Sequence, residues 1–220
     1  AAVRFSHEVI ADNQAIADHV RDTYGSGCHV IAYGGDHALN EPGEAEAPGG
    51  LPDRYALGLC RIEPENNVHL ILEALEGLGM PLVFVGNWDS SAYGRGLKVR
   101  FGESPNLYLL DPVYDPGTLY ALRARASVYL HGHSAGGTNP SLVEMMHFGI
   151  PVLAHGGAFN RHTTDGKAWY FQSAAELAEL LRNLDPADAA QIGSKMREIA
   201  QRKYTWDEIG KAYFKLLDRA

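Results

Sequence analysis

The run Gly136-Gly137-Thr138-Asn139-Pro140-Ser141-Leu142-Val143-Glu144 carries residue types that could hold a phosphorylated ligand. It follows a short apolar strand, Val128-Tyr129-Leu130, and Pro140 opens a helix. A glycine loop feeding a helix N-terminus leaves backbone N–H groups unpaired, and the helix dipole adds positive potential there. Such a place suits a phosphate. Glu144 lies about one turn into the helix. There its carboxylate can accept hydrogen bonds from a ribose; an ordinary helix-surface carboxylate is the plain alternative.

A second candidate closes another apolar strand, in Gly58-Leu59-Cys60-Arg61-Ile62-Glu63-Pro64-Glu65-Asn66-Asn67. Arg61 at a strand end can make a forked contact to a diphosphate, because guanidinium is always charged and presents paired donors. Its alternative is a surface ion pair with Glu63 or Glu65. His131-Gly132-His133-Ser134 could suggest a metal site, but no nearby Asp or Glu completes a ligand set. One histidine near the diphosphate and one packed is the other reading, and no metal or cofactor is expected. Trp88 and Tyr114 are candidates either for a base pocket or for packing. Gly156-Gly157, followed by Arg161 and Thr164, reads as a second polar loop or as a plain turn. Gly94-Arg95-Gly96 lacks the preceding strand of a dinucleotide fingerprint. No convincing Ser-His-Asp pattern is present.

These residues are far apart in sequence, so a frame must bring them together. Short apolar runs alternate with helical periods along the chain. Strands are expected at Val3–Phe5, His29–Tyr33, Tyr55–Arg61, Pro81–Gly86, Leu107–Leu110, 128–131, 151–154 and Trp169–Phe171. Helices are expected from an Asp12 cap to Tyr24, and at Asn67–Leu78, Ala92–Phe101 and Gly117–Arg125. Another follows Pro140, and three close the chain near 174–183, 186–202 and 206–219. Gly34–Pro52, rich in Gly, Pro and acids, reads as a structureless linker. This alternation implies an α/β fold with a Rossmann-like parallel sheet and helices on both faces. Ligands in such sheets bind at the carboxyl ends of the strands. Arg61–Asn67, Gly86–Trp88, Val113-Tyr114, His131–Asn139 and Gly156–Thr164 all fall there.

Composition narrows the function further. The 220 residues suffice for one globular domain, or one and a fraction. A formal net charge of −8 with no basic stripe argues against a nucleic-acid partner. No apolar run reaches the length of a membrane span, and no signal-peptide pattern is seen, so a cytoplasmic location is expected. Cys28 and Cys60, without a CxxC or Cys/His cluster, read as buried free thiols, with a disulfide as the alternative.

The stretch from Gly136 through Glu144 to Gly149-Ile150-Pro151-Val152 resembles the donor site of retaining GT-B glycosyltransferases. Gly58–Asn67 resembles the element in which those enzymes hold the donor diphosphate with Arg and Lys. Arg61 matches; Asn66 stands at the lysine position. The family signature carries an earlier glutamate on the glycine loop, and here that place is Gly136. Its role would pass to backbone N–H groups, to Thr138 or Asn139, or be absent. Pro64-Glu65-Asn66-Asn67, the run Gly136–Glu144 and Phe159–Thr164 look like a rhamnosyltransferase subgroup of bacterial polysaccharide synthesis. The resemblance covers Asp53 to Phe171 well and the rest in outline.

The resemblance implies the C-terminal, donor-binding half of such an enzyme, at 53–220. Residues 1–35 would be the last βα unit of an N-terminal acceptor domain, and 36–52 a linker. Arg61 and Glu144 would serve the reaction directly, Arg61 at the diphosphate and Glu144 at the ribose. Asn66, Gly86, Asn87, Val113, His133, Ser134, Gly136, Gly137, Thr138, Asn139, Ser141, Leu142, Arg161 and Thr164 would contact the donor. The donor would be a nucleoside-diphosphate sugar, with dTDP-rhamnose favoured by the subgroup. The sugar would pass to a polysaccharide or lipid-linked acceptor, compatible with peripheral membrane association of the full-length enzyme. The 220-residue chain alone would be inactive. Two other readings stay open: a non-catalytic nucleotide-binding module of the same fold, and a GT-B sugar-nucleotide epimerase. In this family the last helix often crosses back to the first domain, so Tyr204, Trp206, Tyr213 and Phe214 could form an exposed docking stripe.

Overall fold

A computed structural model of the chain describes residues 2–40 and 46–217. Part of the linker-like stretch and the last residues expected in the closing helix therefore lie outside the described residues. Six strands form one parallel sheet: β3 (Tyr55–Leu59), β4 (Leu82–Val85), β5 (Leu107–Leu110), β6 (Ala126–His131), β7 (Val152–His155) and β8 (Trp169–Phe171). Their spatial order is β5-β4-β3-β6-β7-β8. The chain order reverses between β3 and β6, which opens a crevice at the carboxyl ends of those two strands.

The sheet is buried on both faces, which is why its strands read as near-continuous apolar runs. Along β3, Tyr55 and Leu57 pack on one face, with Tyr129, Met145, Met146 and Met196. Ala56, between them, faces the other side with Leu72, Phe84 and Leu130. The covering helices are α3 (Val68–Leu78), α4 (Ala92–Phe101), α5 (Pro116–Ala124), α6 (Pro140–His147), α8 (Ala174–Asn183) and α9 (Pro186–Lys203). Polar side chains mark several starts: the Ser91, Asp115, Asn139, Ser173 and Asp185 side chains each accept a first-turn backbone N–H.

Ahead of the sheet lies a smaller unit. Strands β1 (Ile10–Ala11) and β2 (His29–Val30) pair in parallel around α2 (Gln14–Tyr24). Residues Ala2–Phe5 form a short helix, α1, rather than the expected strand. The cap of α2 is Asn13, not Asp12. Asn13 Oδ1 accepts the Ala15 N–H at 2.9 Å, while Nδ2 donates to Thr138 Oγ1, Phe159 O and Thr163 Oγ1, each at 3.1 Å. The amide accepts with its oxygen and donates with its nitrogen, whereas an ionised aspartate can only accept, so it could not take this place.

Two further expectations are corrected. The stretch after β2 is not structureless: Asp36–Leu39 form a 3-10 helix against α6. Gly35 permits this approach, because a Cβ there would lie 2.8 Å from the Glu144 backbone nitrogen. The stretch after β7 is a helix, α7 (Ala158–Thr163), instead of a loop or turn. Six residues are too few to show a helical period in sequence. The closing helix α10 (Trp206–Leu217) returns to the N-terminal unit, with Ala212 and Leu216 lining a cavity beside His29–Ile31.

Candidate functional site

A cavity of about 200 Å³ opens at the carboxyl ends of β3, β4 and β5. Arg61, Gly86, Asn87, Val113 and Tyr114 line it, with Leu59 and Leu119 as apolar walls. Among the described residues, no carboxylate pairs with the exposed Arg61 guanidinium, so the expected alternative with Glu63 or Glu65 is not seen. Tyr114 is 85% exposed at the cavity edge. Trp88 is instead fully buried, donates to the Leu110 carbonyl at 2.9 Å and meets Phe84 edge-on. It belongs to the core, not to a base pocket.

Asn66 is 3% exposed and donates to the Arg61 carbonyl at 2.7 Å. It therefore shapes the turn that presents Arg61. Ser134 is committed to the same turn, its N–H and Oγ both donating to the Glu65 carbonyl. His133 bridges this turn to the glycine loop. Its ring stacks on His131 with centroids 4.2 Å apart. Burial, and then the Arg61 charge, push the His133 imidazole down to about 4, against an opposing pull from Glu65. Burial holds His131 well below the usual histidine range as well. Both rings are thus neutral near pH 7. Among the described residues, no group of three or more His, Cys, Asp or Glu could hold a metal ion.

The glycine loop reaches α6 in an open form, with Gly136 at φ +130°. That φ suits glycine and disfavours any side chain. The Gly136 and Gly137 N–H groups have no internal acceptor among the described residues. The nearby side chains are less free than expected. Thr138 is buried against Asn13. Asn139 Oδ1 accepts from the Ser141 N–H and Oγ–H, and Ser141 Oγ meets Tyr129 Oη at 3.0 Å. Leu142 is a core residue. What the loop offers a ligand is backbone. From the far side, the Asp12 carboxylate packs on Gly137, with Oδ1 buried and unpartnered. Burial raises the Asp12 carboxyl above the ordinary aspartate value, the Tyr33 hydroxyl opposing.

Glu144 is not a free surface carboxylate. Arg123 of α5, only 7% exposed, donates from Nη2 to Glu144 Oε2. His37 Nε2 lies 3.3 Å from Glu144 Oε1. The Glu144 side chain keeps 14% of its surface exposed. Neither partner was signalled in sequence, because each is remote from residue 144 and carries no motif. Over α7, Arg161 donates to the Gly156 carbonyl and lies over the Tyr170 ring at 4.1 Å. Thr164 is fully buried and bonded to Asn160 O, so it cannot meet a ligand. Both cysteines are free and partly buried; burial pushes the Cys60 thiol up to about 12.

A larger cavity, about 460 Å³, lies between the N-terminal unit and the junction of α9 and α10. Its cations Arg202 and Lys203 are already paired with Asp165. Thr138 of the glycine loop borders this larger cavity, whereas the smaller one is bordered by Arg61, which pairs with no carboxylate among the described residues. No helix among the described residues is long and apolar enough to cross a membrane.

A strand-order reversal in a parallel α/β sheet is where ligands of such sheets bind, and Arg61 and the glycine loop follow the two strands that flank it. The chain belongs to the glycosyl transferase-like family, whose profile matches residues 64–214. The fold is that of GT-B glycosyltransferase C-terminal domains. HepE from Anabaena, solved in complex with UDP and glucose, superposes with a TM-score of 0.82 at 19% identity. That match covers 100% of this chain and 65% of HepE. Sucrose-phosphate synthase from Thermosynechococcus elongatus gives 0.78 at 19% identity, over 99% of this chain and 60% of the synthase. The C-terminal domain of a group 1 family glycosyl transferase from Francisella tularensis gives 0.59 at 15% identity, over 71% of this chain and 89% of that domain. This chain thus spans under two thirds of the first two proteins. No curated protein matches it.

Proposed function

We propose that this chain is the donor-binding half of a retaining GT-B glycosyltransferase, and that the whole protein transfers a sugar from a nucleoside diphosphate. The single observation that carries this reading is the unpaired Arg61 at the cavity mouth, whose charge reaches His133 at the start of the loop in which the Gly136 and Gly137 amides have no acceptor among the described residues. Charge develops on the departing diphosphate, and pre-placed donors aimed there stabilise the transition state. Arg61 and the loop amides supply such donors. Glu144 stands on the ribose side, and the exposed Tyr114 ring and Val113 face the base. The donor needs no metal, since a cation and amides answer its charge. The motif resemblance favours dTDP-rhamnose as donor and a polysaccharide or lipid-linked glycan as acceptor.

A transferase must hold both substrates in near-attack geometry, and that positioning supplies much of the rate. Full turnover therefore belongs to the longer protein, with residues before about 35 serving the acceptor and 36–52 joining the halves. The loss of a carboxylate at Gly136 favours one rival, a nucleotide-binding module without chemistry. Calorimetry of the chain with UDP and with dTDP, both in EDTA, tests the donor site; binding seen only with Mg²⁺ or Mn²⁺ refutes it. Transfer from labelled dTDP-rhamnose and other nucleotide sugars by the longer protein separates the enzyme from the silent module.

A further inference from the structure

Glu144 is joined through one histidine to the first residue of the closing helix. Trp206 Nε1 donates to His37 Nδ1 at 3.0 Å. An indole nitrogen can only donate, so His37 Nδ1 must carry a lone pair, and the ring proton sits on Nε2. That nitrogen is the one 3.3 Å from Glu144 Oε1. The 3-10 helix that carries His37 is itself clamped. The Trp206 N–H donates to Asp36 Oδ1 at 2.8 Å, and the Gly35 N–H to the Tyr204 carbonyl at 2.7 Å. Gly34 lies so close under the indole that a Cβ there would be 2.6 Å from Trp206 Cγ.

The two nitrogen neighbours of Glu144 do different work. Arg123 is nearly buried and answers the carboxylate charge. His37 is 48% exposed. With Oε2 bonded to Arg123 and Oε1 3.3 Å from His37 Nε2, both oxygens of the carboxylate have a nitrogen neighbour. Each oxygen keeps a lone pair for a further donor.

We propose that His37 and Trp206 are positioning residues for nucleotide recognition: the indole N–H sets the His37 tautomer, and His37 holds Glu144 in the orientation that meets the ribose hydroxyls. This rests on the reading of Glu144 as the ribose-side carboxylate. It makes the segment between the two sheets, and the start of α10, part of the donor site without touching the donor.

The test uses the 220-residue chain with UDP and dTDP as probes. Long-range ¹H–¹⁵N spectra of the wild type should show His37 as the Nε2–H tautomer, and Trp206→Phe should mix the tautomers. Trp206→Phe and His37→Ala should each weaken nucleotide binding about 2- to 10-fold, the span of one ordinary hydrogen bond, with little change in melting temperature. His37→Gln, whose amide can accept from the indole and donate to Glu144, should restore affinity. An Nδ1–H tautomer in the wild type overturns the proposal. So does unchanged affinity in Trp206→Phe and His37→Ala while Glu144→Gln weakens binding. Should Glu144→Gln itself bind both nucleotides normally, the ribose assignment fails, and the positioning role falls with it.

Discussion

The two sides of the candidate donor site hold their charged groups in opposite ways. On the Arg61 side, a guanidinium is exposed, pairs with no carboxylate among the described residues and lowers the proton affinity of its neighbour His133. On the Glu144 side, a carboxylate is nearly buried and its charge is answered by Arg123, with His37 3.3 Å away. One side is electrostatically unfinished and the other is closed. A bound anion gains most where charge is unanswered, whereas a pre-oriented acceptor gains selectivity and loses little on binding. Arg61 should therefore matter to the ligand and not to the fold. Arg123 should matter to the fold first.

The sharpest way to break that comparison is Arg123→Ala. It leaves Glu144 as an unanswered carboxylate in a largely dry place. Removing one member of a buried pair costs about 3–5 kcal/mol. Urea denaturation should show that loss, and the double variant Arg123→Ala with Glu144→Ala should recover part of it. A loss within the range of a surface ion pair, roughly 0–1 kcal/mol, would mean that the Glu144 side is as open as the Arg61 side.

Arg61→Ala should give the reverse pattern. Losing a charge-assisted phosphate contact costs roughly 1.5–3 kcal/mol of affinity. No internal partner is stranded, so the denaturation midpoint should hold. Calorimetry with UDP and dTDP, beside melting curves, reads both effects. Unchanged affinity in a folded Arg61→Ala protein removes the diphosphate assignment.

Much of this frame was legible in the sequence because it rests on local pattern. The alternation of apolar strands such as Leu82–Val85 with helices such as Val68–Leu78 gave the parallel sheet, and each strand of that sheet lies within a residue or two of its expected place. Arg61 was legible for the same reason, as a cation at the end of a readable strand. Side-chain commitments were not. Asn66, Thr138, Asn139, Ser141 and Thr164 have polar types that suit a ligand, and each is consumed by the protein's own backbone or neighbours. Sequence shows that a group can bond, not to what. His37 was hidden in a stretch whose Gly and Pro content reads as disorder, while its order comes from tertiary contacts with Trp206 and α6.

The smallest and most specific expectation concerns His133. In the unfolded chain its imidazole titrates near the ordinary value, 6.5; in the folded protein burial and Arg61 hold it at about 4. As pH falls through 6.5, the unfolded chain takes up a proton that the folded protein refuses. This contribution to stability is therefore intact above about pH 6.5, falls between there and about pH 4, and levels off below, where the folded ring protonates too. At pH 5 the cost is on the order of 1–2 kcal/mol relative to neutral pH. Urea titrations across this window should give a shallower fall for His133→Gln than for the wild type. Because burial is the first cause and Arg61 the second, Arg61→Ala should raise the His133 value in an NMR titration without returning it to 6.5. A saturating diphosphate that neutralises Arg61 should raise it in the same direction. A His133 value unmoved by both Arg61→Ala and UDP would separate the histidine from the guanidinium, and with it the loop from the cavity.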